Sequence, residues 1–401
     1  MNSLISTSKL AFFLIFLLVA LCTPAALPEA AEVEPAKSHK ERPDLDIIKG
    51  INHLYDLEFD EGETVFAKMV SERPEYPAGY FYRSMVTWSR LAVGFWSPQN
   101  LKEYVERIDQ TISVAKNRIN KDPKDSRSYF YLGGALGFKG RFELMRQNWF
   151  SSYNLAYDAI QALKTCQKLD PNNKDVLLGL GIYDYYTAKL SGVLKLLTYL
   201  FLHKGDKDEG LRKLNVAARE ALYSSLESKS MLIHIYLFLE EDFAKALPLI
   251  QDLRIQFRKN MRYPYFEGLA YIRLNEESKY REMVDLLRAE SLKRKTKSDF
   301  IIWEHQALYL EATYHLFRGE TQEARSKLDT ILSDADPVRD PDMIAFPILK
   351  KGMSYDLEKK RETALDYYRQ VVNMENGAGA QFIAQKCIDE ASKKGDPFLG
   401  Y

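Results

Sequence analysis

Apolar residues recur along most of this chain at the three- and four-residue spacing that places them on one side of an α-helix. Three segments add a pair of small residues twelve positions apart. These pairs are Gly50 and Gly62, Ala312 and Ala324, and Gly352 and Ala364. Bulky apolar residues follow the second small residue after four and seven positions. Because small residues let two helix backbones approach closely, the spacing predicts a helix pair as the repeating unit.

Prolines divide residues 43–376 into about seven to eight such pairs, and Pro74, Pro123 and Pro171 each end the second helix of a pair. Residues 377–401 are predicted to form a capping helix and tail, since the last pair of a stack would otherwise expose an apolar face. Some stretches are too long for the plain repeat and are predicted as insertions, at 91–100, 137–154 and 188–204. The predicted fold class is an all-α helical-repeat solenoid.

Composition and charge agree with this class and limit the partners. Of 401 residues, 46% are hydrophobic and 28% charged, as in a mostly helical protein with a continuous core. The 56 Lys and Arg balance the 56 Asp and Glu, so no overall field attracts nucleic acid or an anionic membrane. We therefore expect no nucleic-acid partner, and recognition must depend on a local surface.

The N-terminus has the pattern of an export signal. The run Leu10–Leu21 is apolar and too short to span a bilayer comfortably, and small residues follow it around Ala25. Residues 1–25 are predicted to be a signal peptide and 26–42 a flexible leader, which places the protein in the periplasm or cell envelope. Two alternatives stay open: an uncleaved anchor, which gives a membrane-proximal location, and a lipid anchor at Cys22.

The sequence offers no arrangement typical of catalysis or of metal binding. Its six histidines fall in none of the known metal-binding spacings, and no glycine loop of the phosphate-binding kind occurs. Cys166 and Cys387 lie in different predicted helices and are interpreted as packed apolar side chains. The prediction is a protein that is not an enzyme and that has no metal and no cofactor.

The unit length, the small-residue positions and the proline after each second helix resemble the tetratricopeptide repeat. The last copy, Ile348 to Tyr355 with Ala364, Tyr368 and Val371, fits the pattern best. The stretch Leu194 to Leu214 is also similar to the larger tetratricopeptide proteins with long inserted helices, including the inclusion-clearance group. The resemblance implies a right-handed superhelix whose first helices line a concave groove.

Some members of that family hold a terminal carboxylate with Lys and Asn, but no Asn occupies the matching positions here. The groove is instead predicted to be aromatic and aliphatic. Its candidate residues are Phe130, Leu178, Tyr185, Tyr309, Phe346, Leu349 and Met353. The alternative is that these side chains have a structural role and pack between helices.

The resulting hypothesis is an exported, noncatalytic scaffold that binds a protein or peptide partner in this groove. An assembly or chaperone factor for envelope proteins is an alternative within the same class. A receptor for a small ligand or a glycan is an alternative from another class.

The export hypothesis predicts where the mature chain begins. N-terminal sequencing of the protein from its native host should find a first residue between Ala25 and Glu32, because cleavage follows the small residues after the apolar run. Recovery of intact Met1 in a soluble cytosolic fraction would contradict this.

Overall fold

The computed structural model describes residues 44–93, 96–146, 148–189, 205–293 and 297–400. The predicted signal peptide, the leader to residue 42 and Cys22 lie outside these ranges, as does most of the predicted insertion at 188–204. Within the described ranges, all regular elements are helical.

Seventeen α-helices and one short 3-10 turn follow one another in these ranges. The helices are α1 Leu45–Tyr55, α2 Phe59–Glu72, α3 Pro77–Ala92, α4 Pro98–Lys121, α5 Ser126–Met145, α6 Trp149–Leu169, α7 Val176–Lys189, α8 Lys207–Glu220, α9 Ser225–Phe238, α10 Phe243–Gln256, α11 Arg262–Arg273, α12 Glu277–Ser291, α13 Lys297–Arg318, α14 Thr321–Asp334, α15 Asp342–Leu357, α16 Arg361–Val372 and α17 Ala380–Asp389. The 3-10 turn is Pro397–Gly400.

The helices are arranged as eight consecutive pairs. Each odd-numbered helix from α1 to α15 packs against the helix that follows it, and α17 packs on α15 and α16. Odd-numbered helices of successive pairs also contact each other, as α1 does with α3 and α11 with α13. We call the surface they form the inner face. The predicted fold class, an all-α stack of consecutive helix pairs, is confirmed in the described ranges.

The helices of a pair meet where the sequence places its small residues. A Cβ atom added to Gly210 in α8 would lie 2.5 Å from the backbone nitrogen of Tyr185 and 2.9 Å from the carbonyl oxygen of Gly181, both in α7. In the last pair, a Cβ on Gly352 would lie 2.5 Å from the Tyr368 ring. The small residues therefore make room either for the partner backbone or for the bulky side chain that follows in the pattern.

Contacts between residues far apart in sequence bring distant pairs together. The Tyr55 hydroxyl in α1 donates to Glu227 in α9 at 2.8 Å, and the Asn260 side chain donates to the Tyr55 carbonyl at 2.8 Å. The Asn376 amide, just before α17, donates to the Trp96 carbonyl at 3.1 Å. The first pairs thus contact both the middle and the end of the described stack.

Two of the predicted insertions lie largely within the described ranges. Residues 137–154 belong to two long helices, because α5 and α6 have 20 and 21 residues. Gly137 and Gly140 lie inside α5. Residues 91–100 contain the end of α3 and the start of α4, which Ser97 caps by accepting from the Asn100 amide at 3.2 Å.

Two glycine substitutions test the close contact within a pair. We expect Gly210→Ala to lower the free energy of unfolding by about 1–3 kcal/mol, because its Cβ would meet backbone atoms that cannot move aside. Gly137→Ala is the matched control, since the nearest atom to its Cβ would be 3.9 Å away. It should raise stability by about 0.5–1 kcal/mol, as alanine does in a helix interior. Urea unfolding measures both, and equal effects would contradict the assigned contact.

Candidate partner-binding site on the inner face

The structure buries part of the groove that the sequence predicts. Tyr185, Tyr309, Leu349 and Met353 lie on odd-numbered helices and are buried in the core, so they are not open to a partner in this structure. The reason is that the odd-numbered helices pack against each other as well as against their own partners. Phe130, Leu178 and Phe346 are only partly buried. For these three, the assignment to a partner-binding surface stays a prediction.

Tyr185 belongs to a polar junction between α7 and α8. Its hydroxyl donates to Glu240 at 2.6 Å, and the same carboxylate accepts from Lys189 at 2.6 Å and from Lys207 at 2.8 Å. Lys189 ends α7 and Lys207 begins α8. Glu240 therefore joins the two helix ends that flank residues 190–204.

Side chains on the odd-numbered helices of five consecutive pairs are linked to two arginines by a ring contact or by charge. We call them the inner-face cluster; they are Trp88 of α3, Arg141 of α5, Tyr186 of α7, His234 of α9 and Arg262 of α11. The Arg141 guanidinium lies 5.2 Å from the centre of the Trp88 ring. The Arg262 guanidinium lies 5.6 Å from the centre of the Phe266 ring. The cations thus lie over aromatic faces, an arrangement that is attractive in itself.

The charges of Arg141 and Arg262 act on other members of the cluster. Burial, together with the charges of Arg141 and Arg262, lowers the pKa of His234 to about 3. The His234 imidazole is therefore neutral at physiological pH. Burial raises the pKa of Tyr186, and the charge of Arg141 opposes that shift. Arg141 thus acts on both α7 and α9 from its position on α5.

The two arginines of the cluster carry positive charge that the described part of the chain does not neutralise locally. Among the described residues, no carboxylate forms an ion pair with Arg141 or Arg262. Arg107 of α4, by contrast, is paired with Glu63 of α2 at 2.8 Å. Guanidinium groups without a carboxylate partner, next to aromatic rings, can bind an anionic group and an apolar group at the same time.

Other chemical roles find little support in the described residues. No group of three or more His, Cys, Asp or Glu side chains there could hold a metal ion. His305 pairs with a single carboxylate, Asp334, at 2.6 Å. Cys166 and Cys387 are buried, and burial raises their thiol pKa to about 12 and about 11. Neither thiol is therefore activated as a nucleophile.

The lengths and hydropathies of the helices in the described ranges bear on whether any of them could span a membrane. None of the helices there is both long enough and apolar enough to cross a bilayer.

Sequence reasoning missed the cations of the inner face. Arg141, Arg262 and the fully buried Lys350 all lie on odd-numbered helices. For Lys350 the sequence holds a partial signal, because the six residues before it, 344–349, are apolar. The same signal applies to Lys351, whose ammonium instead pairs with the exposed Asp329. For the two arginines no local pattern distinguishes them from surface residues.

No protein-family model and no curated protein matches this chain. Solved helical-repeat structures do resemble it. The human IFIT1 dimer with m7Gppp-AAAA is 13% identical with a TM-score of 0.46, covering 83% of this chain and 71% of that one. Yeast Tom70 is 12% identical with a TM-score of 0.40, covering 89% and 91%. The P58(IPK) TPR domain is 12% identical with a TM-score of 0.22, covering 89% and 95%. Likenesses this distant say nothing about a ligand of this chain.

The Glu240 junction predicts a specific dependence of stability on pH. Burial opposes ionisation, but hydrogen bonds from Lys189, Lys207 and Tyr185 outweigh it and lower the pKa of Glu240 to about 2, from 4.5. The stabilisation is therefore fully present above about pH 4.5 and is lost as pH falls towards 2. Glu240→Gln should cost about 1–3 kcal/mol at pH 7.

Urea unfolding between pH 7 and pH 3 measures this effect. The difference between wild type and Glu240→Gln should shrink over the acid half of that range. The exposed Glu282→Gln serves as the control and should differ from wild type by a constant small amount. A Glu240 effect that does not change with pH would mean that the carboxylate charge contributes nothing.

Proposed function

We propose that this chain is an exported, noncatalytic scaffold that binds a protein partner through its inner face. The observation that supports this most directly is the inner-face cluster, in which Arg141 lies over the Trp88 ring and its charge acts on Tyr186 and His234 of the next two odd-numbered helices. A surface assembled from so many pairs exists only in the folded stack. It suits an extended segment that crosses several odd-numbered helices.

The chemistry of the cluster indicates the kind of segment. Arg141 and Arg262 favour carboxylates, and the partly buried rings of Tyr186 and Phe266 favour apolar side chains. An acidic segment with interspersed apolar residues meets both requirements. Single-stranded nucleic acid would also find cations and rings, but it needs a continuous row of phosphate contacts. Two unpaired arginines in a chain with balanced charge favour the acidic protein segment.

The test compares two double variants with the same loss of charge. Arg141→Gln with Arg262→Gln removes the cations of the inner face. Arg212→Gln with Arg281→Gln removes two exposed arginines from α8 and α12, each of which is paired with a glutamate on its own helix. Both proteins would be used to capture envelope proteins after crosslinking. Circular dichroism would confirm equal helicity.

We expect the inner-face variant to capture at least about tenfold less partner than the control, because two charge-assisted contacts are lost. Equal capture by the two variants would exclude the inner face as the site. Capture that disappears after nuclease treatment would identify the partner as nucleic acid and overturn the proposal of an acidic protein segment.

A further inference from the structure

The C-terminal turn of the chain lies on the inner face. Pro397–Gly400 contacts α9 and α13, and Leu399 is fully buried. A Cβ added to Gly400 would lie 3.2 Å from the Leu269 side chain and 3.4 Å from the Phe238 ring. The turn therefore packs closely against odd-numbered helices from three different pairs. We call the residues beneath it, Phe238, Leu269, Thr313 and Lys350, the tail site.

The tail site holds the turn by a backbone carbonyl as well as by apolar contact. The Lys350 ammonium is fully buried and donates to the Leu399 carbonyl at 2.8 Å and to the Thr313 hydroxyl. It also lies 4.1 Å from the centre of the Tyr309 ring. No carboxylate of the described residues pairs with it. Burial lowers the pKa of Lys350 well below that of an ordinary lysine. One of its two oxygen partners thus belongs to the tail.

The connection between the tail and the capping helix is separate from the tail site. The Ser392 amide donates to Asp356 at 2.9 Å, which fixes the chain directly after α17. Lys393, Lys394 and Gly395 that follow are exposed, and Gly395 has a φ of +82° with open space around it. The centre of the Phe398 ring of the turn lies 3.8 Å from the Lys386 ammonium of α17, so departure of the turn breaks this contact, while the Ser392 amide stays bound to Asp356. Departure of the turn would expose an amine that water can solvate, so the empty site would not be an apolar void.

We propose that the tail site is a peptide-binding subsite of the inner face and that the chain's own C-terminal turn occupies it until a partner segment replaces it. The replacing segment is extended and apolar, and it presents a backbone carbonyl to Lys350 as Leu399 does. This inference rests on the proposed function, because Phe238 connects the two sites. Its ring contacts the tail and lies 4.8 Å from the ring of His234 in the inner-face cluster.

The experiment uses the full chain with a specific protease site inserted after Lys394, so that the tail is cut only after folding. The cleaved tail is removed by gel filtration. A fluorescein-labelled peptide of residues 394–401 is then titrated and followed by anisotropy. We expect saturable binding to the cleaved chain and at least about tenfold weaker binding to the uncleaved chain, because a tethered competitor acts at millimolar effective concentration. Lys350→Met in the cleaved chain should weaken binding by about tenfold or more.

A peptide carrying Leu399→Asp is the control ligand and should not bind. If the cleaved chain keeps its helicity but does not bind the labelled peptide, the proposal is wrong. It is equally wrong if the cut tail neither dissociates nor exchanges with excess peptide, since the turn is then a permanent part of the core.

A second measurement covers the case in which the cleaved chain unfolds. In the uncleaved Leu399→Asp variant, the tail should leave and Lys350 should become open to an amine-acylating reagent, with mass spectrometry locating the modified lysine. Added wild-type peptide should protect it. Lys350 unmodified in this variant, or global unfolding of it, would overturn the proposal. If the labelled peptide does not bind but partner capture still depends on Arg141 and Arg262, this inference alone is overturned. If the peptide binds but capture does not depend on the two arginines, only the proposed function is overturned.

Discussion

The close approach of two helix backbones within each pair is the constraint on which this structure depends. At Gly210 and Gly181 the two backbones are so near that no side-chain atom fits between them. Elsewhere, as at Gly352, the missing side chain admits a ring from the partner helix. Both solutions fix the distance between the helices of a pair. That distance decides which residues remain on the inner face once the pairs are stacked.

The inner face follows from this geometry, and so does its unusual chemistry. An odd-numbered helix packs against its partner on one side and against neighbouring odd-numbered helices on others, so even polar residues on it become internal. Lys350 is the extreme case, because it is fully buried and donates to two neutral oxygens, those of Leu399 and Thr313. Arg141 and Arg262 retain more contact with solvent and lie over aromatic rings.

The sequence predicts the pairs well because their determinants are local. The twelve-residue spacing of small residues and the prolines after second helices both act within one unit. The open groove was not predictable in this way. The packing of distant pairs includes contacts such as those of Tyr55 with Glu227 and of Asn376 with Trp96, whose partners lie 172 and 280 residues apart. No periodic pattern records such a pairing. Leu349 and Tyr309 accordingly looked like groove residues and are core residues.

Binding of a partner to the inner face depends on the free energy of displacing the tail as well as on the shape of the surface. The tail is covalently attached, so a partner competes with a local concentration on the order of millimolar. A partner segment that is only apolar would gain at the tail site no more contact free energy than the departing tail loses. A segment that also reaches Arg141 and Arg262 gains contacts that the described part of the tail does not make. Recognition by both regions at once would therefore favour the partner over the tail, since each anionic contact adds to an otherwise balanced exchange.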